Sequence, residues 1–208
     1  MKIPYRLPCQ NCSATDPVEL HLDDDSPKWV CHCGHTNFGF FELDFTVGYK
    51  ILARSEYEHN SRKDYSMSII FSAMAFECEL SRLFRKWTDI ASLRAGSGPI
   101  SDAEIEAMLR RHKNVKEKIE EVGKLLDRRG IDEFASSSEE LREVIVSRFP
   151  SLHLGSLAED FQKTLFWPRN RILHAGYTKY REEDSARCYS IAQLGLGVLR
   201  EMDHAKRA

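Results

Sequence analysis

Residues 64–87, DYSMSIIFSAMAFECELSRLFRKW, decide the fold class of this chain of 208 residues. Their apolar side chains recur at spacings of three and four, which is the period of one face of a helix. The members of this stripe are Ile69, Ala73, Phe76, Leu80, Leu83, Phe84 and Trp87. The pattern predicts a helix that begins near Asp64 and ends before the turn signal GSGP at residues 96–99.

Helical patterns continue from this segment to the end of the chain. Ser101 followed by Glu104 has the arrangement of a capping box, and it predicts a second long helix over residues 101–130. Two further helices are predicted over residues 138–149 and 185–202. The body of the protein is therefore predicted to be mainly α, a bundle of helices.

The first part of the chain carries a different pattern, in which cysteines form one CxxC pair and one CxCG pair. These cysteines are Cys9, Cys12, Cys31 and Cys33. Tetrahedral Zn²⁺ takes four such ligands, and two short turns can each supply a pair of thiolates. The segment resembles a zinc ribbon. We therefore expect a small β-rich unit with a structural zinc over residues 1–44, followed by the helical domain over residues 45–208.

The ligand set of this zinc site has alternatives. The CxC spacing is tighter than the usual second pair, so His32 or His35 could replace one thiolate. Two disulfides are the competing interpretation, which a cytosolic location disfavours. Four thiolates would close the coordination sphere, so the expected zinc is structural and not catalytic.

Composition and charge restrict the function classes. A formal net charge of −2 with 42% hydrophobic residues is typical of a globular protein and argues against one that coats nucleic acid by bulk charge. Residues 1–44 hold three basic and seven acidic residues, and the remainder holds 27 basic and 25 acidic ones. Any contact with RNA must therefore come from a local cluster. No apolar run approaches the roughly 18 residues of a membrane span and no signal-peptide core occurs, so we expect a cytoplasmic protein without membrane contact.

The segment FWPRNRILHAGY, residues 166–177, concentrates polar side chains between apolar neighbours. Pro168 suits the first turn of a helix, where its missing N–H would have no partner anyway. In a helix, Asn170 and His174 share a face, whereas Arg169 lies off that face by about 140°. A site that joins Arg169 directly to His174 therefore needs an irregular first turn or a partner chain.

The same segment resembles the Arg-x(4–6)-His motif of HEPN domains (higher eukaryote and prokaryote nucleotide-binding), which are helical bundles. Four residues separate Arg169 from His174 in this chain. The Ala-rich stretch at residues 72–77 resembles an early helix of the family that ends in an acidic residue, and residues 185–202 resemble its closing helix. The resemblance covers the helical body.

The resemblance implies a metal-independent RNA endonuclease that acts as a homodimer, with the two motifs meeting at the interface. It implies His174 as the general acid/base, Arg169 as the residue that holds the scissile phosphate, and Asn170 as a residue that orients His174 or the phosphate. Glu77 and Arg171 are accessory candidates. Attack by the ribose 2′-OH would leave a 2′,3′-cyclic phosphate. Many family members are toxins or antiviral defence effectors, restrained by an antitoxin or another regulatory protein.

The alternative is a non-catalytic adaptor. In that interpretation the helical domain dimerises, and the protein binds nucleic acid or a nucleotide without cleaving RNA, as some HEPN domains do. The strings GxxxxGK[ST], GxGxxG and HExxH do not occur in the chain. Their absence disfavours a P-loop NTPase, a dinucleotide-binding enzyme and a zincin protease.

Overall fold

The computed structural model describes residues 2–8, 11–12, 15–21, 28–38, 47–98, 100–111 and 114–207. The chain divides into two compact units, Met1–Thr46 and Val47–Ala208, so the boundary falls two residues after the expected one. Most described residues are helical, which confirms the prediction of a mainly α protein. None of the described helices is long and apolar enough to cross a membrane.

Among its described residues, the first unit contains two antiparallel pairs of strands. Strand β1 (Lys2–Pro8) pairs with β2 (Thr15–His21), and β3 (Lys28–Val30) pairs with β4 (Thr36–Phe38). The sequence pattern does not predict β1, because Pro4 and Pro8 interrupt it. In a two-stranded sheet every strand is an edge strand, and an edge can tolerate a missing N–H on its outer side.

The second unit consists of helices joined by short turns. Its described helices are α1 (Val47–Tyr57), α2 (Tyr65–Arg94), α3 (Asp102–Arg110), α4 (Val115–Leu126), α5 (Gly130–Ser137), α6 (Glu139–Arg148), α7 (Leu157–Phe161), α8 (Trp167–Ala175) and α9 (Glu182–Arg207). π-helical turns follow α1 at Glu58–Arg62 and α7 at Gln162–Phe166. The buried apolar side chains of these elements form one continuous core.

Helix α2 is the central element of this unit, and its sequence explains both its start and its burial. The side chain of Asp64 accepts a hydrogen bond from the N–H of Met67 over 3.0 Å. This bond satisfies a donor that the first turn of a helix leaves unpaired. All seven apolar residues of the predicted stripe are buried, and α2 contacts α1, α4, α8 and α9. The prediction of this helix is confirmed.

Helix α9 packs closely along α2. Gly195 approaches Phe76 so closely that a β-carbon there would lie 2.5 Å from the ring atom Cε2. Further along both helices, the carboxylate of Asp203 accepts hydrogen bonds from Lys86 Nζ at 2.8 Å and from Trp87 Nε1 at 2.6 Å. Asp203 is only 3% exposed, so this polar contact is part of the buried interface.

The single long helix expected over residues 101–130 is wrong. The capping box of Ser101 and Glu104 is present, but α3 ends and α4 begins after Asn114. The Asn114 side chain accepts a hydrogen bond from the N–H of Glu117 over 2.9 Å, so a second cap starts a new helix. This break lacks the glycine or proline that usually marks one, and the apolar pattern therefore looks continuous.

Two other helix predictions need correction. Residues Gly130–Ser137 form α5, a helix that the sequence analysis did not predict between residues 130 and 138. The last helix, expected over residues 185–202, spans Glu182–Arg207. Its first turn is acidic, which stabilises the N-terminus of a helix, but charged residues add nothing to the apolar pattern used for prediction. The helix predicted over residues 138–149 is confirmed as α6, with Ser138 as its N-cap.

Candidate functional site

Helix α8 carries the predicted motif, and it begins and ends as the sequence indicates. Pro168 lies in its first turn. Gly176 ends it with a φ of 62°, in the left-handed region that favours glycine. None of the residues of α8 is buried. The motif therefore lies on a helix that covers one side of the core and leaves its other side open.

A π-helical turn directly precedes α8. The thiol of Cys188 on α9 donates a hydrogen bond to the carbonyl oxygen of Thr164 in this turn over 3.1 Å. The turn ends at Phe166, so Arg169 and His174 lie within regular α-helix. The irregular first turn that would bring their side chains to one face of a single chain is not present.

The side chain of Arg169 points toward α2 and meets two of the other candidate residues. Its Nη1 donates a hydrogen bond to Oδ1 of Asn170 over 3.0 Å. Its Nη2 lies 3.7 Å from Oε2 of Glu77. The side chains of Arg169 and Glu77 are 26% and 31% exposed, so this ion pair remains within reach of solvent. Three of the five candidate residues of the motif site thus lie together.

Lys118 is a member of this cluster that sequence reasoning missed. Its Nζ lies 3.6 Å from Oε1 of Glu77, so Glu77 interacts with two cations, each at a different carboxylate oxygen. The contact joins α4 to α2. It could not be read from the sequence, because residues 77 and 118 come together only through the packing of helices.

One donor of Arg169 has no acceptor. Its Nε is buried and makes no hydrogen bond with any described residue. A buried, unpaired N–H costs free energy, on the order of 1–3 kcal/mol. The guanidinium is therefore held by Nη1 and Nη2 alone, and its hydrogen-bonding capacity is not exhausted.

His174 lies apart from this cluster. It is exposed in the last turn of α8, and no hydrogen bond or ion pair joins it to another described residue. Positions 167, 170, 171 and 174 are spaced as one face of a helix. The structure thus separates the two ends of the motif, with Arg169 against α2 and His174 on the open face.

Helix α8 also exposes two large apolar side chains, one of them on the open face. Trp167 is 54% exposed and Leu173 is 51% exposed. Met74 on α2, which contacts α8, is 36% exposed. Single exposed apolar residues are ordinary, but two on one short helix beside a third on a contacting helix are typical of a surface that contacts another molecule.

Arg171 is stacked on an aromatic pair that follows α8. Its guanidinium carbon lies 4.3 Å from the ring centroid of Tyr177. Tyr177 meets Tyr180 edge-on, with 4.9 Å between ring centroids. The Tyr180 hydroxyl donates a hydrogen bond to the carbonyl oxygen of Pro168 over 3.3 Å, and burial raises its pKa above the ordinary value. The alternation of aromatic and basic residues in YTKYR, residues 177–181, was the signal that could have revealed this pair.

In the first unit, three cysteines form a candidate metal site. The sulfur atoms of Cys12, Cys31 and Cys33 all lie within 4.8 Å of one another, and Cys12 Sγ lies 3.5 Å from Cys31 Sγ. Ligands 2.3 Å from a tetrahedral zinc are about 3.8 Å apart. The three cysteines could therefore bind a metal ion together.

The backbone after Cys31 has the form of a tight turn. The N–H of Gly34 donates a hydrogen bond to the carbonyl oxygen of Cys31 over 2.8 Å. The N–H of Cys31 donates one to the carbonyl oxygen of His35 over 3.0 Å. Gly34 has a φ of 79°, which only glycine adopts readily. This turn brings Cys31 and Cys33 to one side despite their short spacing.

The fourth ligand is not fixed by these contacts. Cys9 lies outside the described residues. His32 Nδ1 lies 3.6 Å from Cys31 Sγ, whereas His35 contributes its carbonyl oxygen to the turn. Neither histidine belongs to the group of mutually close donor atoms among the described residues.

No protein-family model, curated protein or solved structure matches this chain. The resemblance to HEPN domains therefore depends on residues 169–174 and on the order of the helices around them.

Proposed function

We propose that this protein is a metal-independent RNA endonuclease of HEPN type that acts as a homodimer. One observation carries the proposal. A single exposed helix, α8, presents a guanidinium held by Asn170 and Glu77 at one side and an exposed imidazole, His174, on its open face. A planar guanidinium suits the phosphodiester, and an imidazole suits proton transfer at neutral pH.

In the proposed reaction, the ribose 2′-OH attacks the adjacent phosphorus and the bond from phosphorus to the 5′ oxygen breaks. His174 takes the proton from the 2′-OH or gives one to the leaving 5′ oxygen, and a water molecule makes the other of these two proton transfers. Arg169 binds the non-bridging phosphate oxygens, and Asn170 keeps Arg169 in place. The products are a 2′,3′-cyclic phosphate and a 5′-OH end, so atoms and charge balance without a metal ion.

The proposal requires two chains, because Arg169 and His174 point away from each other in one. The exposed Trp167 and Leu173 support a contact between two copies of α8. A two-fold contact repeats the same patch on both chains, so each His174 could complete the site of the other copy. The same exposed face would also serve the non-catalytic adaptor, which is the outcome if RNA is bound but not cut.

In the absence of substrate, the Glu77 carboxylate would occupy the position beside Arg169 that the phosphate takes when RNA binds. In the described structure it lies against Arg169, where a phosphate group would bring the same charge. A phosphate that binds Arg169 must compete with this carboxylate, and Lys118 offers the carboxylate another partner. Arg171, already stacked on Tyr177, is a second cation near the open face.

The proposed role of the first unit is structural. Cys9, Cys12, Cys31 and Cys33 would hold one Zn²⁺, as the mutual approach of the last three sulfur atoms supports. A unit this small gains much of its folding free energy from such an ion. Metal analysis of the native protein should find about one zinc per chain, and Cys31→Ser should lower it. A preparation without zinc that keeps its fold would contradict the role.

The test of the proposed function uses purified protein, end-labelled RNA and an excess of EDTA. Cleavage should persist, and the 5′ fragment should carry a 2′,3′-cyclic phosphate. His174→Ala should reduce the rate by about 10² to 10⁴, the usual contribution of a general acid or base. His204→Ala, an exposed histidine on α9, is the matched control and should cleave normally. Retention of full activity in His174→Ala would exclude the proposed mechanism.

A further inference from the structure

A groove of about 570 Å³ lies beside the motif helix and has no role in the site described so far. It is formed by the start of α2 and by the segment that follows α8. Residues that matter for its chemistry are Arg62, Lys63, Tyr65, Ser66, Ile172 and Tyr180. Ile172 lies two residues before His174 on α8 and therefore faces the opposite side of the helix, so the groove reaches the open face only around the aromatic residues that follow α8.

The side chains of the two cations at the groove are exposed to solvent. The carboxylates of Glu58 and Asp64 beside them already interact with other groups of the protein. The side chain of Arg62 is 57% exposed, and Lys63 is exposed. Glu58, which lies 3.6 Å from Arg62 Nε, is 2% exposed and cannot meet a ligand. Asp64 accepts the N–H of Met67 as the cap of α2. Glu182, which is 59% exposed and accepts a hydrogen bond from Tyr65, is a further carboxylate beside the groove, so an anionic ligand would bind at Arg62 and Lys63 against the repulsion of this one charge.

Lys63 is held in an unusual backbone conformation. Its φ is 55°, and among the described residues it is the only one other than glycine with a positive φ. A left-handed conformation costs an ordinary side chain free energy that asparagine or glycine would largely avoid. Lys63 lines the groove, and an asparagine at this position would remove the charge while keeping the backbone conformation.

The groove is also lined by aromatic rings on which a base could stack. Tyr65 and Tyr180 both line the groove and are only half-buried. The Tyr65 hydroxyl donates to Glu182 over 3.5 Å, which leaves its ring beside the groove. Tyr180 continues through Tyr177 to the stacked guanidinium of Arg171, one turn before His174. A continuous run of rings and cations thus leads from the groove to the open face of α8.

We propose that this groove binds the nucleotide of a single-stranded RNA that neighbours the cleaved bond, with its base on Tyr65 or Tyr180 and its phosphate on Lys63 and Arg62. Stacking platforms combined with cations are the general means by which proteins hold unpaired strands. The proposal deepens the proposed function, because it assigns the substrate as single-stranded. A duplex buries its base faces and cannot occupy such a groove.

The test measures binding separately from cleavage. In the His174→Ala background, the anisotropy of a labelled 12-nucleotide single-stranded RNA of mixed sequence is followed at several salt concentrations. Tyr65→Ala should weaken binding at least about fivefold, the low end of what one stacked base contributes. Tyr65→Phe, which keeps the ring and loses the hydroxyl, should bind normally.

Removal of one cation tests the phosphate contact. Lys63→Asn should weaken binding and lower the slope of log affinity against log salt by about 0.7, the value for one contact with a single strand. Lys124→Gln removes an exposed lysine of α4 and should change neither quantity. Equal binding of an RNA duplex, or normal binding by both Tyr65→Ala and Lys63→Asn, would overturn the proposal.

The experiments can contradict the proposed role of the groove and the proposed nuclease function independently. Cleavage that depends on His174 together with normal binding by the groove variants would overturn only the groove. Binding that depends on the groove in a protein that never cleaves RNA would overturn only the nuclease. Absence of RNA binding by the unaltered protein would overturn both.

Discussion

Two carboxylate contacts of helix α2, that of Asp203 on α9 and that of Glu77 with α8, differ in kind. Asp203 of α9 accepts Lys86 at 2.8 Å and Trp87 at 2.6 Å and is 3% exposed. Glu77 of α2 lies 3.7 Å from Arg169 of α8, and its side chain is 31% exposed. A short, buried and fully bonded carboxylate fixes two helices, whereas a longer and half-exposed pair can admit another anion. The contact with α9 is therefore structural, and the contact with α8 is suited to binding.

The largest effect is expected where the first contact is broken. Asp203→Ala leaves the indole N–H of Trp87 and the ammonium of Lys86 without their acceptor. The free energy of unfolding should fall by about 3 kcal/mol, as measured by urea denaturation. Glu201→Ala, an exposed neighbour on the same helix, should change it by less than about 0.5 kcal/mol. Equal effects of the two variants would contradict the structural role of Asp203.

A second pair of variants tests how tightly α9 lies on α2. Gly195→Ala places a β-carbon 2.5 Å from Phe76 Cε2 and should lower the free energy of unfolding by about 2 kcal/mol. At Gly197, two residues further, a β-carbon meets nothing within 4 Å. Gly197→Ala should therefore raise the free energy by about 0.5–1 kcal/mol, because alanine favours a helix. Destabilisation by both substitutions would show that the difference in packing is not the cause.

The contact between α9 and the turn before α8 can be tested by pH. Burial raises the pKa of the Cys188 thiol from 9.0 to about 12. Above pH 9 the unfolded chain releases this proton and the folded chain keeps it, so stability falls as pH rises toward 12. The slope approaches about 1.4 kcal/mol per pH unit.

The variant that isolates this effect is Cys188→Ser, which can still donate to Thr164 but does not titrate in this range. The loss of stability between pH 9.5 and 10.5 should be smaller in the variant than in the unaltered protein by about that slope, as followed by urea denaturation at each pH. Identical pH dependence in the two proteins would mean that the thiol is accessible to water in the folded state.

The smallest effect on stability is expected at the contact with α8. Glu77→Gln should change the free energy of unfolding by less than about 1 kcal/mol, since ion pairs this exposed contribute little. It should strengthen the binding of single-stranded RNA by about two- to fivefold, because the carboxylate no longer competes for Arg169. Glu106→Gln, which removes the exposed partner of Arg110 on α3, should leave RNA binding unchanged. Weaker binding by Glu77→Gln would show that Glu77 holds Arg169 in place for its ligand.

The sequence could predict features that depend on residues close together in the chain. The start of α2 near Asp64 and its apolar stripe are local features, and both were predicted correctly. The proximity of Cys12, Cys31 and Cys33 was likewise predictable, because two short turns set it. Local spacing also separates Arg169 from the face of Asn170 and His174, and the structure keeps Arg169 apart from His174.

The rest depends on contacts distant in sequence. Lys118 reaches Glu77 only because α4 packs on α2, and no pattern in either segment indicates it. The restart of the helix at Asn114 was missed because a polar cap interrupts an otherwise continuous apolar pattern. The groove beside α8 joins residues 62–67 to residues 172–180, which are more than 100 positions apart. Such features require the packed structure.

The buried Nε of Arg169 determines the direction from which an oxyanion can approach. A guanidinium offers two edges for bidentate binding, one formed by Nε and Nη2 and the other by Nη1 and Nη2. Because Nε is enclosed, only the terminal edge is open, and a phosphate must arrive end-on along the axis of the side chain. The Asn170 amide oxygen already accepts from Nη1 at this edge. In the proposed reaction, Asn170 would therefore restrict the directions from which a phosphate can reach Arg169.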